Sequence, residues 1–512
     1  MRIGIDMSRT AEAKTGLGSY ATSLVAGLAR VDRVNDYVLH PFTWHCFVDA
    51  FQRAFCPRVL NFRNSRWWLP RALVVKWWHA NKKDKDWLVG GPHDVFFSPF
   101  HAVPPRQMGK LVCVFHDVAF FAHPEFSTEE TRAFCAQQID LARRRADLIV
   151  TVSEFSRREI LRYVDIPEDR VRAIHEAADP RYRKIPGLQV PQRLRAAIGN
   201  EPFTLFVGSV EPRKNLITLV HAWARVVAQN GAPGKLVIAG GSGWKNSDVH
   251  AAVEKHGLQD RVTFTGFVSD AELVALYNTA RVFVYPTLYE GFGLPVIEAM
   301  ACGTPVVTSR VASIPEVGGD AVRYVDDPLD REGLAQTLVE LHADPGARDR
   351  LATAGAARAA TFSWDKVARQ TLAVLEEVVR ERRYDRHEVI VGRDERALDQ
   401  GWHGPEKADS FEFRWAASRA TLELTPRPQH PLSIELGTPL GDGEQSLTVR
   451  ANRRELGRIR LRHGWQTHTL DLPESLGNRV LKIELLADRG LDARHKGSDP
   501  RDLAFMVKRI GF

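Results

Sequence analysis

The sequence predicts an α/β protein with two doubly wound, Rossmann-like lobes that face a cleft, followed by an all-β, sandwich-like domain. Three observations predict this. Short apolar runs alternate with amphipathic stretches in the first half of the chain, and the alternation restarts after a Pro- and Gly-bearing segment at 186–202. From residue 411 the pattern changes to short strands separated by Gly, Pro and Asp turns.

The first lobe is predicted over residues 1–190. Strands at 2–6, 111–116 and 147–152 are followed by polar residues and helical patterns, such as the one from Tyr20 to Leu28. This order is typical of βαβ units in a parallel sheet.

The second lobe is predicted over residues 200–363, and a further helix over 364–386. Its strands are predicted at 203–207, 235–239, 261–264, 281–285 and 305–309. A sheet that is rebuilt after a linker indicates two lobes, and the cleft beyond the carboxyl ends of their strands is the expected ligand site.

The C-terminal β domain is predicted over residues 406–512, after a linker at 387–405. Eight strands are expected, at 411–415, 420–424, 432–435, 446–450, 457–461, 466–471, 479–485 and 504–510. Their turn-separated pattern favours a sandwich of about a hundred residues.

Composition and net charge argue against several classes of protein. The 512 residues are 44% hydrophobic and 26% charged, as in globular proteins, and the net charge of +7 is too small to indicate nucleic-acid binding. The five cysteines form no C-x-x-C pair, and neither a signal-peptide core nor an apolar run long enough to span a bilayer is present. We therefore expect a cytoplasmic protein whose membrane contact, if any, is peripheral.

The most informative segment runs from Tyr285 to Ser309 and has the order strand, loop, helix, strand. Its loop reads Glu290-Gly291-Phe292-Gly293-Leu294. Gly291 and Gly293 let the backbone approach a ligand, and the N–H groups that open the helix favour a phosphate there. Glu298, expected in the first helical turn, could accept hydrogen bonds from the vicinal hydroxyls of a ribose.

A second segment supplies positive charge. The strand at 203–207 leads into Gly208 and Ser209, and the adjacent cations Arg213 and Lys214 follow. Two cations at a strand end suit a diphosphate, whose charge they would offset as it leaves. Solvated cations at a helix start are the alternative.

The spacing Glu290-x7-Glu298, within E-G-F-G-L-P-V-I-E-A-M-A-C-G-T-P-V-V, resembles the hallmark of the retaining GT-B glycosyltransferases of family four. The resemblance extends from Gly4 to about Val325. It implies that Glu290 lies beside the transferred sugar, that Glu298 holds the nucleotide ribose, and that the helix at 364–386 returns to the first lobe. Without it, both carboxylates could simply complement a helix dipole.

The same resemblance assigns the remaining candidate residues. Arg213 and Lys214 match the family's cationic positions, although Ser209 stands where many members carry Arg. Gly16 and Gly18 resemble the glycine loop that faces the phosphates, and His116 matches a histidine near the donor sugar. A structural role for His116 is the alternative.

The expected reaction is transfer of a sugar from a nucleoside diphosphate sugar, with GDP-mannose as the leading donor, to a glycan or polyprenyl-linked acceptor in surface polysaccharide assembly. Ile314-Pro-Glu-Val and the segments above are most similar to bacterial mannosyltransferases of that process. We expect no cofactor and no metal site, because Asp84-Lys-Asp86 lies in a Lys-rich polar stretch instead of on an apolar strand. The alternatives are a non-catalytic glycan-binding protein with a degenerate transferase lobe, and a glycan phosphorylase with pyridoxal phosphate.

Two groups of aromatic residues each allow more than one interpretation. Residues 58–87 interleave eight cations with five tryptophans. This pattern favours contact with anionic lipid or a lipid-linked acceptor. A buried core is the second interpretation, and binding of nucleic acid is the third. In the β domain, Trp415, Trp465 and the segment from Arg460 to Arg462 could contact a glycan, or the tryptophans could pack in the core.

Overall fold

The structure is a computed structural model. It describes the chain except residues 9, 11–15, 41–54, 66–92, 102, 104–108, 230–233, 242–246, 381–386, 393–396, 399, 409, 427–429, 441–444, 474–475, 477–480, 492–498 and 500. Most of the Trp-rich stretch at 58–87, with all five of its tryptophans, and the pair Asp84 and Asp86 therefore lie outside the described residues. Within the described ranges, no helix combines the length and apolar character needed to cross a bilayer.

The first lobe is built on a seven-stranded parallel sheet of order β3-β2-β1-β4-β5-β6-β7. The strands are β1 Arg2–Asp6, β2 Asp36–His40, β3 Phe62–Asn64, β4 Val95–Ser98, β5 Lys110–Val114, β6 Leu148–Thr151 and β7 Val171–Ala173. The helices are α1 Gly16–Val31, α2 Ala119–Ala122, α3 Glu129–Arg145 and α4 Glu154–Tyr163. Strand order turns around at β1 and β4, which makes the sheet doubly wound.

The second lobe repeats this plan in a six-stranded parallel sheet of order β10-β9-β8-β11-β12-β13. Its strands are β8 Phe203–Val207, β9 Lys235–Ala239, β10 Val262–Gly266, β11 Val282–Tyr285, β12 Val306–Ser309 and β13 Arg323–Val325. Its helices are α5 Gln192–Ile198, α6 Leu216–Ala228, α7 Ser247–Lys255, α8 Asp270–Thr279, α9 Leu294–Ala301, α10 Ile314–Gly318, α11 Arg331–Ala343 and α12 Pro345–Ala359. The two sheets confirm the predicted pair of Rossmann-like lobes.

Two local expectations differ from the structure. The segment expected as a linker at 186–202 contains helix α5, because Leu194 and Ile198 lie on one helical face and are buried. Gly16 and Gly18, expected in a loop, lie in the first turn of α1, where Gly18 is buried.

Helix α13, Trp364–Arg380, packs against α1 of the first lobe. A Cβ atom at Gly27 would lie 2.7 Å from the carbonyl oxygen of Trp364, so glycine is needed for this close approach. The Arg30 guanidinium also donates to the Asp365 carboxylate at 2.7 Å. The chain thus returns from the second lobe to the first before the C-terminal domain begins.

The C-terminal β domain consists of two antiparallel sheets, of order β15-β16-β23-β18-β21, with β14 also on β23, and β17-β22-β19-β20. The strands are β14 Glu388–Ile390, β15 Trp402–Lys407, β16 Glu412–Ala416, β17 Arg419–Leu424, β18 Leu432–Thr438, β19 Ser446–Ala451, β20 Arg454–Arg460, β21 Gly464–Leu470, β22 Leu481–Ala487 and β23 Phe505–Gly511. Alternate apolar side chains of both sheets form one buried core. This confirms the all-β prediction, but β14 and the start of β15 occupy the segment 387–405 that was expected as a linker.

Candidate active site

The predicted cations and the predicted acidic loop come together because strands β8 and β11 are parallel neighbours. In a parallel sheet the carboxyl ends of adjacent strands lie at the same edge, so the segments that follow them are side by side. Arg213 and Lys214 lie in a 3₁₀ turn after β8, and Glu290 lies in the loop after β11.

The turn that carries the cations is held by Asn215. This residue adopts a left-handed conformation, with φ of 58°, between the 3₁₀ turn and helix α6. Its side-chain amide donates to the carbonyl oxygens of Pro286 at 3.0 Å and Pro328 at 2.6 Å. Asn tolerates this backbone conformation better than most residues, and its hydrogen bonds join the turn to the loop after β11.

The loop that carries Glu290 is fixed from its other side. Gly293, at the N-cap of helix α9, has a φ of 110°, a conformation that favours glycine. The Ser313 hydroxyl lies 2.9 Å from the carbonyl oxygen of Glu290 and 2.8 Å from that of Phe292. The backbone on both sides of Gly291 is therefore constrained.

The Glu290 carboxylate is the centre of the cluster. Lys214 Nζ donates to Oε1 at 2.6 Å, and Arg213 Nη1 donates to Oε2 at 3.1 Å. The hydroxyls of Tyr285 and Thr287 donate to Oε1 at 2.8 and 2.9 Å. Burial alone would raise the pKa of Glu290, but the charges of Arg213 and Lys214 outweigh it and lower this pKa to about 2.

The two cations differ in their surroundings. Burial lowers the pKa of Lys214 below its usual value even though Glu290 opposes the shift. Arg213 also donates to Glu211 Oε1, at 3.0 Å from Nη2, and stays charged. With two cations and two carboxylates, this four-residue group is electrically balanced. We call Glu211, Arg213, Lys214 and Glu290 the charged cluster.

Glu298 lies apart from the charged cluster, in the second turn of α9 instead of the first. It accepts a hydrogen bond from the Tyr277 hydroxyl at 3.0 Å. Burial raises the pKa of Glu298 to about 8, and the negative charge of Asp179 contributes in the same direction. A carboxyl group that is close to its titration point at neutral pH suits a site that gains hydroxyl donors from a ligand.

Glu298 lines a pocket that both lobes share. Helix α1 contributes one wall and helix α9 another. The lining residues are Thr10, Gly18, Ser19, Tyr20, Thr22, Ser23, Phe55, Ala177, Asp179, Arg181, Tyr182, Asp270, Leu294, Glu298 and Trp364. Three of the predicted site residues, Gly18, Leu294 and Glu298, are therefore brought to one cavity, as expected for a ligand that lies between the lobes.

His116 is held within the first lobe. Its Nδ1 lies 3.2 Å from Glu176 Oε1 and its Nε2 lies 3.3 Å from the carbonyl oxygen of Pro99. Its backbone, in contrast, touches the second lobe, because a Cβ atom at Gly291 would lie 2.6 Å from the His116 carbonyl oxygen. The ring is therefore positioned by its own lobe, next to the loop of Glu290.

Contacts across the cleft, which sequence reasoning missed, connect the lobes beside the charged cluster. The Ser153 hydroxyl donates to the carbonyl oxygen of Gly291 at 2.7 Å. The Glu316 carboxylate accepts from the backbone N–H groups of Glu154 and Phe155, at 2.8 and 2.6 Å, and so caps helix α4 of the other lobe. We call these the cross-lobe contacts. Glu316 belongs to the motif Ile314-Pro-Glu-Val, whose resemblance to mannosyltransferases does not by itself indicate this contact.

The other candidate residues make fewer polar contacts. Gly208 follows β8, and a Cβ atom there would lie 3.7 Å from Lys214 Cε, whereas Ser209 is exposed. The Phe292 ring is buried, 6.0 Å from the Phe362 ring. The sequence could have pointed to Tyr285 and Thr287, since they flank the end of the strand before Glu290. Among the side chains that the structure describes, no cluster of three or more His, Cys, Asp or Glu residues could hold a metal ion.

Comparison with known proteins identifies the family of this chain. The family described as "Glycosyl transferases group 1" matches residues 193–358, which contain the charged cluster and end before the β domain. "O-antigen chain mannosyltransferase B" of Escherichia coli is 31% identical over 369 residues, covering 70% of this chain and 95% of that protein. "Serotype-specific mannosyltransferase WbdA" of Escherichia coli is 32% identical over 267 residues, but these cover 51% of this chain and only 32% of WbdA.

Solved structures confirm the predicted GT-B fold. Sucrose-phosphate synthase from Thermosynechococcus elongatus has a TM-score of 0.58 at 22% identity, over 74% of this chain and all of that one. WaaG, described as a glycosyltransferase involved in lipopolysaccharide biosynthesis, has a TM-score of 0.55 at 15% identity, over 73% of this chain and 99% of that one. At these identities the likeness concerns the fold alone.

Proposed function

The chain belongs to the group 1 glycosyl transferases, and on that premise we propose that it transfers mannose from GDP-mannose, with retention at the anomeric carbon. The acceptor we propose is a hydroxyl of a glycan or a polyprenyl-linked oligosaccharide in surface polysaccharide assembly. The observation that carries the proposal is the charged cluster at the shared edge of β8 and β11, where Arg213 and Lys214 meet Glu290. The names of the two mannosyltransferases that it resembles support the choice of sugar.

Arg213 and Lys214 are the leaving-group site in this proposal. When the bond from the sugar to the diphosphate breaks, negative charge grows on the phosphate oxygens. Cations that are already fixed in a buried site stabilise this charge without reorganising, and one such contact contributes about a hundredfold or more in rate. The hydrogen bonds from Lys214 to Glu290 and Tyr285, at 2.6 and 2.5 Å, provide that fixed position.

Glu290 is assigned a positioning and electrostatic role. Its carboxylate already accepts from two cations and two hydroxyls, and its lowered pKa makes it a weak nucleophile. It holds the cations in place and presents negative charge beside the sugar, where positive charge develops as the glycosidic bond breaks. Glu298, which lines the pocket between the lobes, is assigned to the ribose hydroxyls.

Catalysis is proposed to need no divalent cation, since Arg213 and Lys214 supply the positive charge that a metal would otherwise provide. We also propose that the enzyme works in the cytoplasm at the inner face of the membrane, through the stretch at 58–87. Sedimentation with anionic vesicles at low and high salt tests that contact, because screening should release it. Absence of binding at low salt would contradict it.

The function is tested by giving the purified protein a panel of nucleotide sugars with a mannose-terminated acceptor. GDP-mannose should support transfer, and GDP should raise the melting temperature more than UDP does, because a ligand that binds only the folded state stabilises it. Lys214→Ala removes one cation of the leaving-group site and should lower turnover at least about a hundredfold. Transfer from another nucleotide sugar alone would contradict the donor, and near-normal turnover of Lys214→Ala would contradict the site.

A further inference from the structure

The β domain carries an aromatic cluster on the outer face of its larger sheet. Strand register places Trp465 opposite Gly437 and Thr467 opposite Glu435, whereas the alternate residues Ile434 and Leu436 are buried in the core. Side chains on neighbouring positions of a strand point to opposite faces. Trp465, Thr467 and Thr469 of β21 therefore lie on the face that points away from the core.

Three rings meet on this face. The Trp465 ring centroid lies 5.1 Å from that of Phe411 and 5.4 Å from that of Phe413, with interplanar angles of 88° and 72°. All three side chains are only partly buried. The two phenylalanine rings thus stand nearly perpendicular to the indole. We call these three residues the Trp465 cluster.

The sheet leaves room for the indole. A Cβ atom at Gly437 would lie 3.2 Å from Trp465 Cδ2, so the indole lies over the backbone of β18 at a position without a side chain. Trp415 is on the same face but behaves differently, since it packs against the buried residues Leu440, Leu491 and Leu503. The open alternatives for the two tryptophans are therefore resolved separately, with Trp415 in a small apolar core and Trp465 at the surface.

Two ion pairs lie beside the Trp465 cluster. Lys508 Nζ donates to Glu435 Oε1 at 2.7 Å and lies 4.6 Å from the Phe411 ring centroid. Arg509 pairs with Glu388, and Thr467 and Thr469 add exposed hydroxyls. An anionic lipid or nucleic acid would be attracted by unpaired cations. A surface of rings, hydroxyls and two ion pairs instead suits a neutral ligand.

A chain of neutral hexoses has the matching chemistry. One face of a pyranose ring presents C–H groups, which are attracted to the negative face of an aromatic ring, and its edge presents hydroxyls that both donate and accept. We propose that the Trp465 cluster, with Glu435 and Lys508, binds the neutral glycan chain that the transferase lobes extend. The identity of its sugars rests on the proposed function. A second site on the same chain would keep a long acceptor near the cleft by raising its effective concentration.

The test measures binding of soluble mannan to the full-length protein by affinity electrophoresis, with dextran as the comparison polymer. Wild type should be retarded by mannan, and Trp465→Ala should bind about tenfold more weakly, as expected for the loss of one stacked ring. Trp465→Phe should restore part of the affinity. Glu455→Gln, an exposed position on β20 of the smaller sheet, is the control outside this surface and should bind like wild type.

The proposal is overturned if mannan does not retard wild type. It is also overturned if the affinity for mannan is unchanged in both Trp465→Ala and Phe413→Ala. Self-association that these variants abolish, without mannan binding, would show instead that the face binds a second copy. A transfer assay separates this proposal from the catalytic one: a protein that transfers mannose to a short acceptor but does not bind mannan refutes the glycan surface alone. Mannan binding without any transfer refutes the proposed function alone.

Discussion

Replacing Glu290 with Gln should weaken catalysis while strengthening the binding of GDP. Gln keeps the size of the side chain but removes the charge that balances Arg213 and Lys214, whose side chains are only 24% and 10% exposed. Breaking a buried ion pair from one side costs roughly 3–5 kcal/mol of folding stability. The charged cluster changes from neutral to a net charge of about +1, which a diphosphate can compensate.

The size of the effect follows from Coulomb's law. For a phosphate about 7 Å from the Glu290 carboxylate and an effective dielectric constant near 20, removing that repulsion is worth about 2 kcal/mol. GDP should therefore bind at least about tenfold more tightly to Glu290→Gln than to wild type. Turnover should fall by about a hundredfold or more, because the sugar loses its adjacent negative charge.

The assay pairs calorimetric titration of GDP with steady-state turnover and thermal unfolding in both proteins. Glu211→Gln is the matched control, since it also removes one carboxylate from Arg213 but leaves Lys214 and Glu290 paired. It should strengthen GDP binding less, because Glu211 is more exposed, and should keep far more activity. Weaker GDP binding in Glu290→Gln, in parallel with lower turnover, would show that the Glu290 charge does not oppose the diphosphate.

Three further predictions concern other parts of the site. Because burial raises the pKa of Glu298 to about 8 and ribose hydroxyls favour its ionised form, GDP binding should release a proton, and affinity should rise several-fold from pH 7 to pH 8 in calorimetry. The same slope in Glu298→Gln would refute this assignment. Glu316→Gln should lower kcat/KM for the donor about fivefold, because it removes the charged cap on α4. The exposed control Glu340→Gln should leave kcat/KM unchanged. If the two variants have equal kcat/KM, the cross-lobe contacts do not have this role. Excess EDTA should leave turnover unchanged, and a loss that magnesium or manganese restores would show that a metal is required.

Much of the fold could be predicted from the sequence because periodicity reports burial directly. Strands β8 and β9 match their predicted bounds, and all eight predicted strands of the β domain are present. Strand β14 has only three residues, too few to show an alternation of apolar and polar side chains. Its place in the sheet depends on pairing with β23, which is distant in sequence. Helix α5 was missed because Pro and Gly residues flank it on both sides.

The site was predicted as residue types but not as contacts. Arg213, Lys214 and Glu290 were each identified, yet their pairing depends on β8 and β11 being neighbours across 75 or more residues of chain. Strand order of this kind is a property of the whole sheet. Glu316 and the N-terminus of α4 are separated by about 160 residues and lie in different lobes, so no local pattern could have linked them.

The anomeric configuration of the product tests retaining mannosyl transfer at the charged cluster. The protein would be incubated with GDP-α-mannose and a mannose-terminated acceptor, and the new linkage assigned by NMR from its one-bond C–H coupling, with Lys214→Ala measured in parallel. Wild type should form an α-linked mannose, and Lys214→Ala should give at least about a hundredfold less product. A β-linked product, or equal yields from the two proteins, would contradict this prediction.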